Sequence, residues 1–225
     1  MTAQPPAAQP VSPSPKMELG AYISKAWNLV TKDLLLFIVS YLIVAVLANI
    51  PLVGLIIGGP LLFGFVRIVQ KRYKGEPAQI GQVFDAFKTD FAKGLVTFLL
   101  MFVAGLCLFI PVIIVVIILS FIPVCGALLA VVLYIAAIIA LMSGLYFVMP
   151  IAALSDVQPF DAIKQGLKFL GANVGSMVLL ALVTCLISGA GVIACGIGVL
   201  FTAPLAFAIM VVAYNEYYLP NAPAA

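Results

Sequence analysis

Three long stretches of the chain carry no charged side chain: residues 34–66, 94–155 and 169–215, of 33, 62 and 47 residues. A helix that crosses a bilayer needs about 20 apolar residues, so each stretch has room for two. Turn signals fall inside each one, at 49–54, 123–126 and 189–198. Pro and Gly are the strongest interruptions of a helical pattern. Runs such as 112–118, seven Val and Ile in succession, do not alternate as barrel strands do. An open strand edge would also leave its backbone unpaired in lipid. The pattern predicts an all-α integral membrane protein with six transmembrane helices, one of the two long central ones kinked at Pro111.

Charge placement orients the helices. With two helices per stretch, all eleven Lys and Arg residues fall on one side of the membrane. Basic residues concentrate on the cytoplasmic side, so both termini are expected there. A third helix in the 62-residue stretch would move Lys164 and Lys168 outside. Short amphipathic segments precede each stretch. Ile23, Ala26, Trp27 and Val30 form one stripe, Phe160, Ile163, Leu167 and Leu170 another. The third is Phe84, Phe87 and Phe91, with Asp85, Lys88 and Thr89 opposite. A helix of this kind lies in the membrane interface or packs as an extension of a span. For the Phe84 segment both readings stay open.

Segments 51–73 and 195–217 match at an offset of 144: Gly54 with Gly198, Pro60 with Pro204, Leu61 with Leu205, Phe63 with Phe207 and Tyr73 with Tyr217. Pro and Gly are costly inside helices, so the match exceeds shared hydrophobicity. The expected architecture is three parallel repeats of an amphipathic interfacial helix plus a transmembrane hairpin, at 18–74, 80–154 and 158–217. A Pro-rich disordered cytoplasmic tail, 1–17, precedes the single six-helix membrane domain, 18–217. It lacks the basic and apolar regions of a cleaved signal peptide. A short tail, 218–225, follows.

Composition narrows the function. Of 225 residues 65% are hydrophobic and 8% charged, with a mean hydropathy of +1.27 and no histidine. Soluble domains average about 25% charged residues. The acids Glu18, Asp33, Glu76, Asp85, Asp90, Asp156, Asp161 and Glu216 all fall at the cytoplasmic side, so capping and solvation explain them. Acid–base catalysis needs a positioned titratable group, and ion-coupled transport usually needs one within the spans. Neither is offered, and the chain is expected not to be an enzyme and to bind no cofactor or metal. Of the four cysteines, Cys107 and Cys185 fall mid-span as packing residues. Cys125 and Cys195 fall near outer turns and are expected to approach one another as a disulfide in an oxidising periplasm. Trp27, Phe84, Phe87, Phe91, Arg67, Lys71, Arg72 and Lys74 read as interfacial anchors, Arg67 by reaching out to the interface. The Lys71–Arg72–Lys74 cluster is too short for nucleic acid. It suits anionic lipid. Gly54, Gly58, Gly59, Pro60, Gly198, Ala203 and Pro204 are either breaks lining a pathway or points of close helix packing.

The segments Gly20-Ala21-Tyr22-Ile23-Ser24-Lys25-Ala26-Trp27, Gly59-Pro60-Leu61-Leu62-Phe63-Gly64, Val83-Phe84-Asp85-Ala86-Phe87 and Met149-Pro150-Ile151 followed by Asp161-Ala162-Ile163-Lys164 stand in this order. The order resembles a broad group of bacterial six-helix membrane proteins, which includes the membrane domain fused to some glycerophosphoryl diester phosphodiesterases. The resemblance implies the six-helix fold and a bacterial inner-membrane location. It carries no activity, because the phosphodiesterase's soluble barrel and its acidic and histidine residues have no counterpart here. Two functions follow. One is a non-enzymatic scaffold, assembly factor or subunit of a larger membrane complex or homo-oligomer, surrounded by membrane lipids. The alternative is a transporter-like pathway for a lipid or apolar small molecule. If Gly59-Pro60 and Ala203-Pro204 line a path, they should face a cavity.

Overall fold

The computed structural model describes residues 16–122, 125–193 and 198–222. These residues are helical almost throughout, and none of them forms a strand. In chain order the helices are α1 (Leu19–Lys32), α2 (Leu34–Ala48), α3 (Val53–Tyr73), α4 (Ala86–Thr89), α5 (Phe91–Ser120), α6 (Cys125–Leu145), α7 (Val148–Leu154), α8 (Pro159–Ala172), α9 (Val174–Ile193), α10 (Val199–Ala213) and α11 (Leu219–Asn221). A 3-10 turn, Ile80–Phe84, precedes α4, and a π-helical turn, Tyr214–Tyr218, follows α10. Five spans, Val53–Tyr73, Phe91–Leu119, Gly126–Leu154, Val174–Val192 and Val199–Asn221, are long and apolar enough to cross a membrane. The pair α1–α2, bent by 93°, makes a sixth candidate. The chain is thus a multi-pass membrane protein of five to six long apolar helices.

Helices α3 and α10 form the centre. Leu61, Phe63, Phe65, Val66, Ile68 and Val69 of α3 are buried, as are Ala208, Ile209, Val211, Val212 and Ala213 of α10. Helices α2, α5 and α7 surround α3, while α1, α2 and α9 surround α10. Tyr41, Phe65 and Phe207 meet as a ring triad with centroids 5.4 to 6.1 Å apart. A second aromatic group joins Phe147, Phe169 and Tyr218, with Tyr218 4.9 Å from Phe169 and 5.2 Å from Phe147. Tyr218 is therefore core, and the helical body runs past the expected limit at 217 to Asn221.

One joint recurs at three places. Asp33 ends α1 and precedes α2, Asp90 ends α4 and precedes α5, and Asn173 ends α8 and precedes α9. Their φ/ψ values are −131°/47°, −140°/32° and −135°/38°. Each joint carbonyl accepts the first helical bond of the next element, from Phe37, Gly94 and Met177. A short polar residue suits this place, because its side chain can bond locally and compete with helix continuation. The chain turns there from an amphipathic helix into a long apolar one.

At the opposite end, α2 reaches α3 through a tight turn. The Val53 N–H donates to the Pro51 carbonyl at 2.7 Å, which puts Leu52 at φ +63°. Such γ-turns are strained, and the Leu52 side chain is left 80% exposed. The α5 helix runs unbroken through Pro111 for 30 residues. Helix α9 continues through Gly189 and Gly191 to Ile193, so these glycines are helical and lie before the turn.

The amphipathic helices bury faces that overlap the stripes only in part. In α1 the buried residues are Tyr22, Ala26 and Val30, while Trp27 is 58% exposed. In α8 they are Pro159, Ala162, Gly166 and Phe169, while Phe160 is 60% exposed and Leu167 is also exposed. Trp27, Phe160 and Leu167 point outward, while Ile23, Ile163 and Leu170 are half-buried against the core. Cys107 and Cys185 are likewise exposed along their spans and are not packed inside.

Candidate functional site

Polar groups gather at one end of the bundle and tie the joints to the ends of α3 and α10. Arg67, in the last part of α3, crosses to the α4–α5 joint. Its Nη2 lies 2.7 Å from the Asp90 carboxylate, its Nη1 donates to the Thr89 hydroxyl at 3.2 Å, and its Nε donates to the Ala153 carbonyl at 3.1 Å. This replaces the expected reach toward the interface. Three partners from two neighbouring elements hold the guanidinium flat against the protein, a geometry its planar fork favours. The Arg67 guanidinium, with the Thr89 hydroxyl, holds the Asp90 carboxyl below the usual carboxylate range, against the opposing effect of burial.

Arg72 pairs with Asp33 of the first joint and donates to the Glu76 carbonyl at 3.3 Å. Lys25 of α1 meets Glu216 at 2.8 Å, and the Tyr73 hydroxyl donates to the same carboxylate at 3.0 Å. Gln70 and Asn215 exchange reciprocal amide bonds of 2.9 and 2.7 Å between α3 and the end of α10. The third joint closes on Tyr217, whose hydroxyl donates to Asn173 at 3.1 Å. The two tyrosines matched in sequence, Tyr73 and Tyr217, thus both stand in this belt. Among the interfacial candidates, Trp27, Phe84 and Lys74 are exposed, and Phe87, Phe91 and Lys71 are half-buried. Phe84, Phe87 and Phe91 form a ladder with ring centroids 6.0 and 5.8 Å apart. Val83 seats this segment, its carbonyl lying where a side chain on Gly64 would have to go.

Most of the Gly and Pro positions lie against neighbouring helices. Gly54, Gly58, Gly59, Pro60, Ala203 and Pro204 are buried. A Cβ on Gly59 would stand 2.6 Å from the Gly94 carbonyl carbon, and one on Gly94 would stand 2.9 Å from the Pro60 nitrogen. Helices α3 and α5 therefore cross backbone to backbone at Gly59 and Gly94, a contact that only residues without side chains permit. Gly54 is pressed against Ala48 of α2. Gly198 lies in the turn before α10, beside Gly191. Gly171 and Gly175, four residues apart, have nothing within 4 Å of a notional Cβ. Cys195 and the side chain of Cys125 lie outside the described residues.

A cavity does exist, just past the prolines. About 420 Å³ in volume, it lies between α3, α5, α6, α7, α9 and α10, with Leu62, Ala206 and Phe207 as its nearest members to Pro60 and Pro204. Met101, Met142, Met149 and Met210 line it, together with Phe98, Phe102 and Leu145. Its polar groups are a linked pair. Thr184 donates to the Leu180 carbonyl at 2.8 Å, and the Tyr146 hydroxyl stands 2.9 Å from Thr184. Both hydroxyls are therefore satisfied, which leaves a lining of flexible, polarizable side chains. This cavity carried no sequence signal beyond methionines spaced along separate helices. Among the described residues, no cluster of acids or cysteines could hold a metal ion.

No protein-family model matches the chain, and no curated protein or solved structure is detectably similar to it. The class is therefore set by fold and site alone: a multi-pass helical membrane protein with an ion-paired polar end and an apolar interhelical cavity.

Proposed function

We propose that this protein is a non-enzymatic scaffold or subunit of a membrane complex, built as three parallel repeats with both termini on the cytoplasmic side of a bacterial inner membrane. The repeated joint at Asp33, Asp90 and Asn173 supports the repeat reading. So does the exact 140-residue offset between the bounds of α1 and α8. Kinship with the six-helix membrane domains fused to phosphodiesterases rests on the short segments quoted above.

One observation carries the scaffold reading. Past Thr97, none of the described side chains of α5 is buried, although α5 is 30 residues long. Helices α5 and α6 pack against one another as a hairpin. They present Ile110, Ile114, Ile117, Val131 and Ile135 outward. In lipid, helices associate through van der Waals contact and small residues, and this hairpin offers a long face for it. A photo-crosslinking residue at Ile114 or Val132 in native membranes should yield a discrete protein adduct. Adducts with lipid alone would remove the reading.

The cavity favours a second reading, a site or passage for a lipid or apolar small molecule. Its volume lies within the usual range of about 300–1,000 Å³ for ligand pockets. Replacing Ala206 by Phe would put a ring into it and reduce its volume. If the second reading holds, a lipid that co-purifies with the native chain should be lost from this variant.

A further inference from the structure

We infer that the polar recess at the charged end of α3 binds the phosphate of an anionic membrane lipid. The recess measures about 290 Å³ and lies between α3 and the 3-10 turn with α4. Its lining includes Arg67, Lys71, Lys88, Gln82, Asp85 and Thr89. The charge of Arg67 is met by Asp90. Lys71 and Lys88 have no carboxylate within 4.0 Å among the described residues, and Asp85 pairs with no cation there. Two lysines against one carboxylate leave the recess with one excess positive charge, which a phosphodiester of charge −1 would balance.

Hydrogen-bond donors stand beside the lysines. The Gln82 Oε1 accepts the Gln79 N–H at 3.3 Å, so what Gln82 has left to offer a ligand is its amide NH2, a donor. Depth then selects the source of the anion. Lys71 belongs to the last turn of a spanning helix, and Lys88 to the short α4, whose Phe87 stacks with Phe84 of the preceding 3-10 turn in the aromatic ladder. Aromatic rings and terminal lysines settle at headgroup level. Anionic lipid phosphates crowd that level and attract basic groups within a Debye length. In the sequence Lys71 stands in one basic cluster with Arg72 and Lys74. The fold separates them: Arg72 turns away to Asp33, and Lys88 arrives in its stead.

The test is native mass spectrometry of the full chain in detergent, titrated with phosphatidylglycerol and separately with phosphatidylcholine. The wild type should hold one phosphatidylglycerol far more strongly than the net-neutral lipid. The double variant Lys71→Gln/Lys88→Gln should lose roughly tenfold or more in that affinity, while Lys164→Gln, on the exposed face of α8, should not. Lys71→Arg/Lys88→Arg should retain binding, which separates loss of charge from loss of fold. As a measurement on the unaltered chain, binding should weaken as salt rises. Equal binding of the two lipids, or undiminished binding by a folded double glutamine variant, would overturn the inference. So would displacement of the lipid by millimolar inorganic phosphate, which would mark a site for soluble anions.

Discussion

Helices α3 and α10 sit at the centre of the molecule, whereas α5 and α6 form a hairpin that extends away from it. The central pair holds both matched prolines and the polar ends, and is buried over more than half of its most apolar stretch. The hairpin contains the most apolar stretch of the chain, yet none of that stretch in α5 is buried. In water the order would be reversed. Here lipid is as apolar as leucine, so hydrophobicity alone gives no reason for a helix to leave the surface. What brings α3 inward is shape and polarity: bare backbone at Gly59, a ring triad at Phe65, and Arg67 with partners that lipid cannot supply.

This contrast can be broken by experiment. Phe63→Ala should cost about 3–5 kcal/mol in unfolding measured in detergent, since the ring is fully buried and its loss leaves a cavity. Ile114→Ala, on the exposed hairpin, should stay within about 0.5 kcal/mol. Equal costs would end the distinction between centre and paddle. Gly59→Leu should destabilise by about 1–3 kcal/mol or more, because backbone rather than a movable side chain meets the new atoms. Gly175→Leu, with open space around it, serves as the neutral partner.

Asp90→Asn should cost about 1–2 kcal/mol, the scale of a charge-assisted hydrogen bond at a site that is partly exposed. This pair also sets a pH dependence. Asp90 has a lowered pKa in the folded chain, so its contribution is complete above the ordinary carboxylate value near 3.8 and is lost as pH falls through the lower folded value. Thermal unfolding followed from pH 6 down should show this loss in the wild type and lack it in the asparagine variant. The smallest effect should come from Lys164→Gln. Its contact with Asp161 is 3.5 Å long and exposed, and pairs of that kind are worth little.

Much of the helical layout was legible before any coordinates. Absence of charge marked the long helices, and the polar segments between them marked the short ones. The amphipathic stripes were displaced by about one residue for a physical reason. In α8 the pattern Phe160, Ile163, Leu167, Leu170 picks out the largest apolar side chains, and in a membrane these include lipid-facing ones. Ala162 and Gly166 pack inward because they let Gly144 and Val148 come close. The matched Gly-Pro segments announced a backbone contact, but its other half, Gly94, is a lone glycine at the start of a charge-free stretch. The joints had a faint signal, a single Asp or Asn directly before an apolar run. The destination of Arg67 had none, since its three partners come from positions 23 and 86 residues away and their neighbours. The cavity was illegible for the same reason: it is made by the spacing between helices.

The lengths of two helices carry a consequence for the bilayer itself. Helix α2 has 15 residues and spans about 22 Å, while α5 has 30 and spans about 45 Å. The hydrocarbon layer of a typical membrane is about 30 Å thick. A bilayer-crossing α2 would thin the lipid beside it, and α5 would thicken its lipid unless it tilts, each at a fraction of a kcal/mol per Å of mismatch. One molecule would thus impose a thickness gradient across its own width. Two copies would lower that elastic cost by setting thin flank against thin flank and thick against thick, so membrane deformation alone would give them a preferred mutual orientation.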